Sequence, residues 1–153
     1  MAYNLQIPTS KTFYFRVEQD DELVNLVEVK KDEHTDVYVS FRQASATDAE
    51  QRTQSLSRRE YRGDGTGRMM MVDETNTDTV NRLEIFLTLT DTDINFPDGT
   101  QLDFETVGGR RRLKSRQQFD EYWTHMYPHW AAVISQCCLR CNPNWDPKRR
   151  IIA

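Results

Sequence analysis

His125, His129, Cys138 and Cys141 come nearest, by type and spacing, to a metal site in this chain. A His pair at i, i+4 and a Cys pair at i, i+3 each place two ligands on one helical face. The two pairs do not converge. Along a continuous helix His129 and Cys138 stand about 13 Å apart at 1.5 Å per residue, beyond the reach of a shared zinc. A bend at Pro128 changes nothing, because both residues follow it. The expectation is therefore no metal and no cofactor, with the cysteines serving as small apolar side chains.

Other chemistries fare no better. A cysteine nucleophile needs a base held beside it, and Cys137, Cys138 and Cys141 follow no strand-to-helix elbow. The segment Gly63-Asp64-Gly65-Thr66-Gly67 suggests a phosphate cradle, but Arg68-Met69-Met70-Met71 stands where Lys-Ser/Thr and a helix would be required. It reads as a loop, with the methionines as a short strand. No two of the 24 acidic residues can be singled out as an acid/base pair. The chain reads as non-enzymatic.

The basic run Arg110, Arg111, Arg112, Lys114 and Arg116 is the strongest binding feature, with Lys148-Arg149-Arg150 further on. Such a run suits phosphate backbones. Phe119, Tyr122 and Trp123 beside it have the spacing of a helix core rather than of a stacking platform. The run, together with Trp145, is expected to meet an acidic protein surface, with a small nucleic-acid-binding module as the alternative. Charge is divided accordingly: residues 1–109 hold 11 basic and 21 acidic side chains, and residues 110–153 hold 9 and 3. Opposed ends suit either internal attraction or head-to-tail stacking.

The elements that must position these residues form a single α+β domain over 1–153, too short for two comfortable cores. Sixteen aromatic residues (seven Phe, six Tyr, three Trp) argue against wholesale disorder. No run of eighteen apolar residues exists, and Met1–Gln6 lacks the basic start and apolar stretch of a signal peptide. With all three cysteines inside five positions, a reducing compartment and no membrane are expected.

Residues 12–105 read as strand-rich. Thr12–Val17, Leu23–Val29 and Asp36–Arg42 alternate at period two, and short links between them predict an antiparallel meander with an acidic loop at Glu18–Glu22. Ser45-Ala46-Thr47-Asp48 and Thr47-Asp48-Ala49-Glu50 match a capping box, predicting a helix over 46–61. Its apolar face is only Ala49, Leu56 and Tyr61, so it should lie on the surface or await a partner. Residues 62–79 read as a mobile loop. Arg82–Thr90 is read as a strand through Leu83, Ile85, Leu87 and Leu89, although Val80, Leu83, Phe86 and Leu87 also suit a helix. A turn at Phe96–Thr100 leads to a short strand over Gln101–Glu105. Residues 115–141 change period: Ser115 caps a helix bearing Phe119, Tyr122, Trp123 and Met126. Pro128 opens a second, bearing Trp130, Val133, Ile134, Cys137 and Cys138, which stops by Asn142-Pro143. The whole is a mainly antiparallel sheet packed by C-terminal helices.

The succession Asp93-Ile94-Asn95-Phe96-Pro97-Asp98-Gly99-Thr100-Gln101-Leu102-Asp103-Phe104, Phe119-Asp120-Glu121-Tyr122-Trp123, Ile134 and Cys141-Asn142-Pro143-Asn144-Trp145 resembles small assembly proteins of tailed bacteriophages. Tail assembly chaperones are the nearest group. Phe41–Asp48 and the polar, Arg-bearing helix after it fit the same likeness, which spans residues 37–146. The resemblance implies non-catalytic binding of tail proteins or the tape measure in the host cytoplasm. A neck or baseplate subunit of the virion fits equally. Implied partners are other phage structural or assembly proteins, including further copies of the chain. The basic run and the cysteine cluster depart from that group, and none of its functional residues carries over.

Overall fold

Period-two alternation of apolar residues makes the first half of the chain a sheet. A computed structural model of the protein describes residues 2–7, 9–57, 61–63, 69–71 and 77–145. In chain order its elements are β1 (Ser10–Asp20), β2 (Leu23–Val29), β3 (Val37–Arg42), α1 (Ala46–Ser57), β4 (Tyr61–Gly63), β5 (Met69–Met71), α2 (Thr77–Thr88), β6 (Leu89–Thr92), β7 (Phe104–Val107), β8 (Arg110–Leu113), α3 (Arg116–Thr124) and α4 (Pro128–Cys141). A 3-10 turn at Pro143–Trp145 follows. The fold is α+β: a four-stranded antiparallel sheet in order β2-β1-β3-β6, with helices packed on it, and two separate hairpins, β4-β5 and β7-β8.

The strand order corrects the expected meander. β1 and β2 form a hairpin, but β3 returns to pair with the other side of β1, Phe13 opposite Val39 and Phe15 opposite Val37. β1 is the longest strand and carries two nearly sealed phenylalanines, so it takes the centre and leaves β2 on the edge. The expected acidic loop is also shorter. Glu18, Gln19 and Asp20 stay in the ladder opposite Asn25, Val24 and Leu23. Only Asp21 and Glu22 turn, with Asp21 at φ 52°, a left-handed conformation that aspartate tolerates.

The expected strand over Arg82–Thr90 is mostly helix. α2 runs to Thr88, and the strand begins at Leu89 without a linker. Both templates matched because α2 is enclosed: Val80, Leu83, Glu84 and Leu87 are buried at helical spacing, and so are Ile85 and Thr88 beyond that stripe. Burial around most of the circumference leaves an alternating pattern inside a helical one, and packing overrides strand propensity. Its last turn is locked by the Thr88 hydroxyl, which donates to the Glu84 carbonyl (2.8 Å).

α1 ends at Ser57, and Tyr61 belongs to β4 rather than to the helix. The reading of 62–79 as loop is corrected at both ends, by the β4-β5 hairpin and by α2 starting at Thr77. The methionine run is indeed a strand, while the glycine loop at 64–68 and Lys148–Arg150 lie outside the described residues. The strand expected over Gln101–Glu105 falls at Phe104–Val107, and the basic run that follows is its hairpin partner. Gly108 and Gly109, at φ 59° and 77°, make the two-residue turn that needs positive φ at both positions. α3 and α4 form as read: the Ser115 hydroxyl accepts from the Gln118 N–H (3.1 Å), Pro128 stands in the first turn of α4, and Asn142 ends it. Phe13, Phe15, Val39 and Phe41 pack with Phe119, Tyr122, Trp130, Ile134, Cys137 and Cys138 in the main core.

α1 is held by charge rather than by an apolar face. Its first turn has the expected capping box: Ser45 N–H donates to Asp48 Oδ2 (2.9 Å) and Asp48 N–H to Ser45 Oγ (3.3 Å). Asp48 also receives both terminal nitrogens of Arg42, which is 3% exposed. The remaining donors of Arg42 reach three carbonyls: Nε that of Arg111 (3.1 Å), Nη1 that of Gln43 (3.2 Å) and Nη2 that of Leu87 (2.8 Å). All five guanidinium N–H groups are thereby used, joining β3, α1, α2 and β8. One turn on, Arg52 donates through Nε (2.9 Å) and Nη2 (2.7 Å) to Glu84 of α2, with both side chains buried.

Removing one partner of a buried pair leaves the other charge uncompensated. Arg42→Met should lower unfolding stability by about 3–5 kcal/mol in urea titrations, and a loss under about 1 kcal/mol would contradict the hub role. Asp48 also predicts a pH effect. Burial raises its pKa, but the Arg42 and Ser45 hydrogen bonds outweigh it and hold the carboxyl below its usual value. Its stabilisation is present above the ordinary carboxylate range and is lost as pH falls through the depressed value. The stability gap between wild type and Asp48→Asn should therefore be wide at neutral pH and shrink in strong acid. A gap independent of pH would refute this.

Candidate partner-binding surface

The metal-like residues do not assemble. Cys138 is buried whereas His125 and His129 are exposed, and among the described residues no three His, Cys, Asp or Glu side chains group as metal ligands. Burial pushes the Cys137 and Cys138 thiols up to about 12 and also raises Cys141, so at neutral pH all three are protonated. Cys138 Sγ lies 3.4 Å from the Thr88 hydroxyl, and Cys141 Sγ lies near the Phe41 carbonyl. These are packing positions in the interface of α4 with α2 and the sheet.

Arg110, Arg111 and Arg112 of the basic run lie in strand β8, which scatters its side chains over two faces, Lys114 follows the strand and Arg116 opens α3. Arg112 pairs with Glu105 directly across the hairpin (3.0 Å). Arg111 lies over the Phe104 ring (5.0 Å from its centroid) while its carbonyl serves Arg42. Arg116 lies over Phe86 (5.2 Å) and reaches Asp120 (3.4 Å). Arg110 is half-buried, Lys114 is exposed, and Leu113 between Arg112 and Lys114 is a core residue. The five charges do not form one uniform groove. Trp145 is 7% exposed: it packs with Leu83 and Leu87, lies under the Arg52 guanidinium (5.4 Å), and lines a cleft of about 480 Å³ beside Ala44 and Cys141. A second cleft, of about 350 Å³, is lined by Ile94, Pro97, Tyr122, Met126, Tyr127 and Trp130. Its one carboxylate, Asp93, already accepts the Tyr38 N–H (2.7 Å).

The surface that sequence reasoning missed is the other face of the sheet. Register places Phe13, Phe15, Val17, Leu26, Val37 and Val39 on the helix-covered face, so Tyr14, Arg16, Val27, Val29 and Tyr38 point the other way. There Val29, Tyr14 and Tyr38 stand side by side across three strands, with Val27 beside Arg16 in the next row. All five are half-buried, against 0–2% exposure for Phe13, Phe15 and Val39. The Tyr38 hydroxyl donates to Asp91 (3.2 Å); burial and that carboxylate raise its pKa and keep it a neutral donor.

This face ends at the edge strand β2, where Leu23 is 67% exposed. One β2 carbonyl, that of Val24, accepts the Trp130 indole N–H (2.9 Å), and Glu28 pairs with Arg140 (2.7 Å). Both attachments come from α4. At the far side of the molecule residues 2–7 belong to no helix or strand, and Tyr3, Leu5 and Ile7 are 84%, 92% and 66% exposed. The signal for the face lay in the alternation itself. What could not be read was which strands would be neighbours, and hence that Val29, Tyr14 and Tyr38 form one row.

The placement of Trp145 predicts a structural role. Trp145→Ala should lower unfolding stability by about 3 kcal/mol, within the range for buried tryptophan, read as a shifted denaturant midpoint at unchanged slope. A change under about 0.5 kcal/mol would show that the ring carries no packing energy. No family model, curated protein or solved structure matches this chain.

Proposed function

We propose that this chain is a non-catalytic assembly protein acting through protein-protein contacts, as its resemblance to phage tail assembly proteins implies, with other structural or assembly proteins as partners in the host cytoplasm. The observation that carries the reading is the half-buried row Val29, Tyr14 and Tyr38, continuous with the β2 edge. A sheet face turned to solvent usually alternates to polar residues, and a row of two tyrosines and a valine is richer in apolar area than solvation needs. Tyrosines are also suited to interfaces, offering a large rigid apolar body with one polar tip. The alternative, nucleic-acid binding through Arg110, Arg111, Arg112 and Lys114, is weakened by the pairing of Arg112 with Glu105 and of Arg111 with the Phe104 ring.

Two variants separate the readings. Tyr14→Asp with Val27→Asp should abolish co-purification with tail or neck proteins from infected cells while the fold survives, because both side chains lie on the uncovered face. Replacing Arg110, Arg111, Arg112 and Lys114 by Ser should leave that complex in place, weakened mainly in association rate. If instead the wild type binds duplex DNA at about micromolar affinity with a steep log-linear salt dependence, and the Ser variant loses it while folded, the assembly reading gives way.

A further inference from the structure

The arm at residues 2–7 has the pattern of a strand without a ladder. Tyr3, Leu5 and Ile7 alternate with Asn4 and Gln6, its side chains carry no charge, and its three large apolar residues are the most exposed cluster of that kind among the described residues. Among the described residues the same chain offers at β2 a strand edge with no ladder partner, its Val24 carbonyl taken by the Trp130 indole N–H. These two features lie at opposite sides of the molecule. A Cβ on Gly109 would stand 3.3 Å from Ile7 Cδ1, which places the root of the arm at the β7-β8 turn. β8 packs beside β6, the strand at the opposite end of the sheet from β2. The arm also leads into β1, both of whose sides are occupied. It therefore points away from its own open edge.

We propose that the arm adds as a strand to the β2 edge of a second copy of this chain, joining copies head to tail. The inference rests on the assembly reading and names one of its partners. Charge selects the direction. The root of the arm lies by the β7-β8 turn, with Arg110 and Arg111, while β2 begins at the acidic hairpin tip bearing Glu18, Asp20, Asp21 and Glu22. Antiparallel addition brings that basic root to that acidic tip, whereas parallel addition carries it to the far end. In the antiparallel register with Ile7 opposite Asn25, Leu5 faces Val27 and Tyr3 faces Val29. All three then fall on the uncovered face and lengthen the row across the sheet to Tyr3, Val29, Tyr14 and Tyr38. Main-chain bonds supply the attachment and the alternating side chains the register. Such a contact joins different surfaces of each copy, so it closes a ring or continues as a filament.

The full chain is compared with a form lacking residues 2–7 and with Val27→Lys, by sedimentation velocity across a concentration series. The wild type should self-associate, and each change should weaken association by about tenfold or more. Circular dichroism should be unchanged, since residues 2–7 are all exposed. Mixing Leu5→Cys chains with Val27→Cys chains should give a disulfide-linked dimer that neither forms alone. Raising salt, or replacing Asp21 and Glu22 by Lys, should weaken association further. A wild type that remains monomeric at about 100 μM, or an arm-deleted form that associates as the wild type does, overturns the proposal. If that occurs while Tyr14→Asp with Val27→Asp still abolishes the tail-protein complex, the assembly function stands and only the second copy is excluded.

Discussion

The buried guanidinium of Arg42 is the constraint on which the other placements depend. Desolvating a cation costs several kcal/mol unless every donor finds an acceptor, and here all five do. Its acceptors lie on the strand exit after β3 and α1, on α2 and on β8, three separate stretches of chain. Satisfying one arginine therefore fixes the mutual position of four elements. The Asn142 side chain completes the arrangement from α4, donating to the Arg42 carbonyl (3.2 Å) and accepting the Ala44 N–H (2.7 Å).

From that hub the apolar layers are assigned. α2 is drawn between α1 and the sheet by the Leu87 carbonyl and by the Glu84 to Arg52 pair, so it becomes buried on nearly all sides. Burial raises the Glu84 pKa even though the Arg52 charge and hydrogen bonds lower it, a sign of how far this layer is from water. The 3-10 turn then places Trp145 on Leu83 and Leu87 beneath Arg52. The C-terminal part of the described chain is in this way part of the packing around α1 and α2.

The same division explains where binding surface remains. The helices cover one sheet face, and the arginines of β8 and α3 find carboxylates and aromatic rings nearby. What the described residues leave uncovered is the Val29, Tyr14 and Tyr38 row of the second sheet face, the β2 edge and the arm; the row and the arm are apolar or neutral, and the charges nearby, Arg16, Asp91 and the carboxylates of the hairpin tip, flank them. Main-chain pairing and aromatic contact suit such a surface better than phosphate recognition does.

Much of this was legible in the residues themselves. Alternation located β1, β2 and β3, the Ser45 to Asp48 spacing located the start of α1, and Ser115, Pro128 and Asn142 bounded α3 and α4, because caps and periods are local properties of the chain. α2 was not legible, since a helix buried around most of its circumference shows both periods at once. The thin apolar face of α1 was visible, but the reason it suffices was not: Asp48 and Arg52 are ordinary surface types until the folded chain buries them against Arg42, six residues before Asp48, and Glu84, 32 residues after Arg52. The sequence by itself determined β1, β2, β3, α3 and α4, the capped start of α1 and the split of charge between its two parts. Only the tertiary structure decided that β1 is central, that the basic run is a paired strand, and that Val29, Tyr14 and Tyr38 lie in one row, because strand order and the pairing of buried charges are set by contacts between residues far apart in the chain.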